Sequence, residues 1–177
     1  MVMEMRKLRV GIVAIFCAGG LLHAQQPPAA DLFLPRVEVV QTIQDQAQRV
    51  PLIAGKATAV RVFVQQQGRT DPLVSQVAVS LRGFRDGQEL PRSPLRAING
   101  TITAAATIDR NDPNHSQNFI LPESWTAEGT LELRADLRLP PGTIEGSFDN
   151  NTERREVTFM APAVADPRIV WIPVCIE

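Results

Sequence analysis

Residues 130–139, TLELRADLRL, place Leu131, Leu133, Ala135, Leu137 and Leu139 at every second position, with Glu132, Arg134, Asp136 and Arg138 between them. Side chains alternate across a strand but recur every 3.6 residues around a helix. As a strand this segment buries one face and charges the other; as a helix it scatters leucines around its whole circumference. The chain must therefore supply partners that cover one face of a β-sheet and leave the other solvated.

Period-two segments recur along the sequence. VEVVQTIQ at 37–44, TAVRVFVQ at 58–65 and SQVAVSLRG at 75–83 are clear examples; TITAAATI at 101–108, QNFILP at 117–122, REVTFMA at 155–161 and RIVWIPV at 168–174 are weaker ones. Turn chemistry separates them: Gln67-Gly68, Asp86-Gly87, Asn99-Gly100, Asp112-Pro113-Asn114, Pro140-Pro141-Gly142 and Asp149-Asn150-Asn151. No stretch combines a helical period with caps. Seven to eight short strands punctuated in this way predict an all-β chain, an immunoglobulin-like antiparallel β-sandwich.

The first residues read as an export signal. Arg6, Lys7 and Arg9 precede an uncharged, largely apolar run at 10–22, and His23-Ala24 then leads into Gln25-Gln26-Pro27-Pro28. That run falls short of the roughly 20 apolar residues needed to cross a bilayer. Bulky Phe16 before Cys17 argues against a lipidation signal. The expected organisation is a signal peptide at 1–24, a Pro, Ala and Gln-rich linker at 25–36 and one sandwich domain at 37–177, in a secreted or periplasmic protein. The chain ends at Glu177 directly after an apolar segment, which leaves open whether it is the N-terminal part of a longer protein.

Cleavage after Ala24 removes Arg6, Lys7, Arg9 and Glu4, so 18 basic and 19 acidic residues become 15 and 18, a formal charge of −3. Lys56 is then the remaining lysine, and no basic footprint for nucleic acid or anionic lipid is present. Cys175 is left without a partner for an intramolecular disulfide and is read as an inward-facing strand residue. A domain of about 150 residues buries about 68–70% of its unfolded surface and holds together without a disulfide.

Gly55-Lys56 in VPLIAGKATAVRVFV, residues 50–64, is a turn rather than a phosphate loop. A phosphate loop of the G-x-x-x-x-G-K-[ST] type needs glycine where Val50 stands, Ser or Thr where Ala57 stands, and a helix where a strand is expected. His115 is the remaining histidine after cleavage, and tyrosine is absent. An H-E-x-x-H zinc site and a G-x-S-x-G nucleophile elbow are both absent. Glu132 and Asp136 form no singled-out acid–base pair, since they lie on the charged face of the strongest strand. The loop DRNDPNHS at 109–116 collects Asp109, Asn111, Asp112 and Asn114, oxygen ligands that Ca²⁺ accepts. It departs from the EF-hand pattern at Pro113 and is read first as a turn, with calcium as the alternative; Asp149-Asn150-Asn151 carries the same two readings. Asn99, Asn114 and Asn150 head glycosylation triplets. Trp125 and Trp171 are read as closing the core, with ligand-stacking platforms on exposed loops as the alternative. No catalytic, cofactor-binding or metal residue is assigned.

The succession VEVVQTIQ, VPLIAGKATAVRVFV, FILPESWTAEGTLELRADL, FDNNT and RIVWIPV resembles an immunoglobulin-like domain near the N-terminus of secreted bacterial proteins, some with a metallopeptidase domain downstream. It is similar to the CARDB-type adhesion module, in which a long L-x-L-x-A strand is followed by an acidic Asn-Asn turn and a last strand. The resemblance spans residues 37–174 and implies a module without catalysis or cofactor. The expected function is an exported binding or spacer module that contacts a protein, a cell-wall component or a glycan, with no nucleic acid and no membrane insertion after cleavage. The alternative is an accessory or propeptide-like domain of a secreted metallopeptidase.

Overall fold

In a computed structural model, residues 29–45, 47–68 and 71–162 are described. The segment at 1–24 read as a signal peptide, the segment at 168–174, Trp171 and Cys175 lie outside these residues. The described chain is all-β, with strands β1 (Ala30–Val40), β2 (Leu52–Ile53), β3 (Ala59–Gly68), β4 (Ala78–Arg85), β5 (Gln88–Glu89), β6 (Leu95–Arg96), β7 (Ser116–Ile120), β8 (Gly129–Arg138) and β9 (Thr152–Met160). One sheet runs β1-β3-β7; the other runs β2-β9-β8-β4-β5, with β6 also on β4. All of these pairs are antiparallel except β2 with β9.

The leucines of β8 face inward as their spacing demands. Leu131, Leu133, Ala135 and Leu137 join Val77, Val79 and Leu81 from the β4 side, and they meet Leu32, Val39, Val60, Val62, Val64 and Phe119 of the smaller sheet. Trp125 closes this core from a short 3-10 turn before β8 and is fully buried. Its indole N–H donates to the Pro91 carbonyl at 2.9 Å. A Cβ at Gly83 would lie 2.6 Å from the ring, so β4 carries glycine where the indole lies against its backbone. The β4–β5 hairpin turns at Asp86-Gly87, both with positive φ (51° and 76°). This is the geometry that favours Asp-Gly in two-residue hairpins.

Three sequence expectations change. The first strand begins at Ala30, inside the segment read as a linker, and ends at Val40. Pro35 is accommodated because the register with β3 shifts between Phe33 and Arg36, where no ladder donor is required. Residues 101–108 form isolated bridges instead of a strand. Ile102 and Ala104 bond back to Val77 and Val74, whereas Ala105 bonds to Val64 and Gln66 of β3. The segment crosses between the two sheets and so extends neither ladder. β9 begins at Thr152, ahead of the expected segment at 155–161, and its register with β8 places Glu153 and Arg155 opposite Ala135 and Leu133, on the inner side of the stretch that β2 leaves without a partner strand. Inward charges at an edge oppose pairing with another chain.

Carboxamides complete other edges and turns. Gln41 donates to the Ile53 carbonyl (2.7 Å) and accepts its N–H (2.9 Å), and Gln44 does the same with Val50 (3.0 and 2.9 Å). Gln48 accepts the Val39 N–H at 2.7 Å. Asn99 donates to the Ser116 carbonyl and accepts the Asn118 N–H, each at 2.9 Å, along the edge of β7. Each amide side chain imitates one residue of a neighbouring strand and satisfies backbone groups that are costly to leave unpaired. Gly55-Lys56 is the expected corner, with the Lys56 N–H donating to the Ile53 carbonyl.

Candidate functional site

The outer face of the β1-β3-β7 sheet is not a bare solvated surface. Glu38, Arg61 and Asn118 form one cross-strand row and Arg36, Phe63 and Ser116 the next. Residues 106–115 fold back over these rows. Glu38 is completely buried; its Oε1 lies 2.7 Å from Arg36 Nε and 2.8 Å from Arg110 Nε, and its Oε2 lies 3.8 Å from Arg61 Nη1. Arg61 also donates to the Arg110 carbonyl at 3.0 Å and covers the buried Phe63 ring at 4.8 Å from its centroid. Gln65 donates to the Ala106 carbonyl at 3.0 Å. One carboxylate with three arginines thus clamps a loop that carries the oxygen-rich segment.

Within that segment the carboxylates serve the loop's own turns. Asp109 Oδ1 accepts the Asn111 N–H at 2.9 Å, and Asp112 Oδ1 accepts the Asn114 N–H at 2.8 Å as the cap of a short 3-10 turn. His115 Nδ1 accepts the Asp109 N–H at 2.9 Å, and its Nε2 faces Asp112 Oδ2 at 3.5 Å. Among the described residues no group of three or more His, Cys, Asp or Glu is placed to hold a metal. The loop instead walls a cleft of about 640 Å³, whose lining includes Asn99, Thr101, Thr103, Thr107, Asn114 and His115. Hydroxyls, amides and an imidazole converge there from the crossing segment and the clamped loop.

The other sequence candidates are dispersed. Glu132 and Asp136 lie on the outer face of the larger sheet, two rows apart on β8. Glu132 accepts from Arg134 Nε at 2.5 Å, and that hydrogen bond holds its carboxyl below the usual range. Asp136 accepts from the Thr152 hydroxyl at 3.1 Å and lies 3.8 Å from Arg82. Strand register also aligns Arg82, Arg134 and Arg154 in one row across β4, β8 and β9. Of the glycosylation triplets, Asn99 has its amide on β7 and Asn150 has its amide on Asp31.

Sequence reasoning missed a carboxyl pair where β1 meets the loop at 140–151. Glu145 Oε1 accepts the Leu32 N–H at 2.7 Å, while Asn150 donates to both Asp31 oxygens (3.2 and 3.1 Å) and Gln67 donates to Asp31 Oδ2 at 2.5 Å. Burial pushes Glu145 above the ordinary carboxylate range, and the Asp31 charge adds to the effect. Burial acts upward on Asp31 too, but its hydrogen bonds with Gln67, Asn150 and Glu145 outweigh it and hold that carboxyl low. The pair favours a proton on Glu145. Because its folded pKa is raised, ionised Glu145 weakens the fold above that value, and the cost fades as pH falls through it. Glu145→Gln keeps an acceptor for Leu32 and removes the like charge. It is expected to be more stable than the parent near neutral pH, with the gap closing in mildly acidic buffer. Urea melts across that range check this; a pH-independent difference contradicts the coupling.

No protein-family model matches the chain, and no curated protein matches it. Among solved structures, it is similar to the CARDB domain of the PF1109 protein from Pyrococcus furiosus, a structure in complex with di-metal ions. The identity is 15%, the match covers 76% of this chain and 96% of that chain, and the TM-score is 0.39. That neighbour is of the domain type which the strand-and-turn succession resembles.

Proposed function

We propose that the protein is an exported, non-catalytic binding module whose polar cleft contacts a hydroxyl-rich polymer at the cell surface. The observation that carries this reading is the cleft of about 640 Å³ beside the clamped loop, lined by threonine hydroxyls, asparagine amides and His115. Its volume lies in the range of ligand sites. Thr101, Thr103, Thr107 and Asn114 offer groups there that both donate and accept hydrogen bonds, as sugar hydroxyls do. The two groups nearest to acid–base chemistry, Asp112 and His115, already hold the turn that shapes the loop. Export follows from the charged, apolar and small-residue succession at 1–24.

Retention of purified cell-wall polymers and a glycan panel on the immobilised protein tests the reading. Binding is expected to fall about tenfold in Thr103→Val/Asn114→Ala, as loss of about 1.4 kcal/mol implies, with the melting temperature unchanged. Chain shortening of a bound polymer contradicts the non-catalytic assignment. Retention that is absent throughout, or indifferent to the cleft variant, removes the cleft as the binding surface.

A further inference from the structure

A second hollow, of about 530 Å³, shares Thr101 with the polar cleft but differs from it in chemistry. It forms because β4 carries small residues, Ala78 and Ser80, between two long neighbours on the same sheet face. Arg138 of β8 stands opposite Ala78, and Arg96 of β6 stands opposite Ser80. Exposed Pro94 supplies an apolar wall, to which Leu95 and Ala97 add the part of their side chains that their packing against the core leaves open. Gln117 lines the base, where its amide is already engaged with the backbone of Val77, Val79 and Gly100.

The charges around this hollow do not cancel. Among the described residues neither Arg96 nor Arg138 forms an ion pair; Arg138 Nε reaches only the Ser80 hydroxyl, at 3.4 Å. Asp136 shares the row of Ser80 and Arg96, but its oxygens are turned to the Thr152 hydroxyl and to Arg82. An apolar wall with two guanidinium groups at the mouth complements a molecule with an apolar body and one anionic end. Planar guanidinium groups suit a carboxylate, which they bind through paired donors.

We propose that this hollow binds a small organic carboxylate, its apolar part against Pro94, Leu95 and Ala97 and its carboxylate between Arg96 and Arg138. This site shares only Thr101 with the lining of the polymer cleft, and its fate does not depend on that reading.

The test is a titration of the isotope-labelled protein, followed by amide chemical shifts, with 4-phenylbutyrate, its uncharged amide and inorganic phosphate. Saturable shifts centred on Ala78, Ser80 and residues 95–97 are expected with the carboxylate. The amide is expected to bind about tenfold more weakly, the factor that about 1.4 kcal/mol represents, and phosphate to leave these resonances unmoved. Arg96→Gln and Arg138→Gln are each expected to weaken the carboxylate severalfold, and the double variant to bring it to the level of the amide. Their melting temperatures should equal the parent's, because neither guanidinium holds a structural ion pair. Equal affinity for acid and amide, shifts centred elsewhere, undiminished binding by the double variant, or equal response to phosphate overturns the proposal.

Discussion

Trp125→Ala is expected to lower the unfolding free energy by about 4 kcal/mol, within the range of about 3–5 kcal/mol for emptying a large aromatic site in a core. The indole is fully buried, and its N–H bond to the Pro91 carbonyl is lost with it. The contact with Gly83 turns this into a sharper test. A methyl group at position 83 would stand 2.6 Å from the ring, so Gly83→Ala alone is expected to cost about 2 kcal/mol as an overpacked site. In the Trp125→Ala background the ring is gone, and the same methyl enters vacated space. The two substitutions should therefore be strongly non-additive, the double variant being no less stable than Trp125→Ala alone. Urea unfolding of the four proteins measures this. Simple additivity would mean that the β4 backbone moves away from the ring at little cost.

The second large effect belongs to Glu38. Removing one partner from a fully buried ion pair costs about 3–5 kcal/mol. Here the arginine side chains are 24–36% exposed, so water takes over part of their solvation once the carboxylate is gone. Glu38→Ala is therefore expected to cost about 2–3 kcal/mol. The loss has a local signature, because Glu38 holds Arg110 and with it the loop at 106–115. Trypsin should cut after Arg110 much faster in the variant than in the parent under native conditions, while cleavage after Arg138 in β8 changes little. Unchanged stability and unchanged cleavage would show that the loop is held by Arg61 and Gln65 without the carboxylate.

These two sites differ in how far they can be read from residues alone. Trp125 is a large aromatic between two strands, and closing a sandwich core is the ordinary use of such a residue. Glu38 alternates with Val37 and Val39 and so reads as a solvated position. It does face outward, but a loop more than sixty residues further along covers it. Local alternation decides which side of a strand a residue occupies; it carries no information about what later chain is laid over that side. The carboxyl pair of Asp31 and Glu145 escaped for the same reason, since its members approach through a bridge between distant segments. The amide clamps escaped too, because glutamine looks like any polar residue until its backbone partner is known.

The oxygen-rich loop at 109–116 shows the converse. Asp109 and Asp112 were legible as turn formers, and both cap backbone N–H groups as such residues do. What spacing did not indicate was the cleft beside them, assembled when residues 101–107 cross between sheets. That segment has strand-like alternation, yet its bonds divide between the two sheets.

By itself the sequence determined the strand faces, because period-two burial is a local property of each segment. It determined the turns at Gly55-Lys56 and Asp86-Gly87, and the all-β class that follows from them. Tertiary structure alone decided the pairing of Glu38 with three arginines, the row of Arg82, Arg134 and Arg154, and the two hollows that share Thr101. All of these depend on register and on loops laid across sheets, which bring together side chains far apart in the chain. Local backbone preference has no means of encoding such distances.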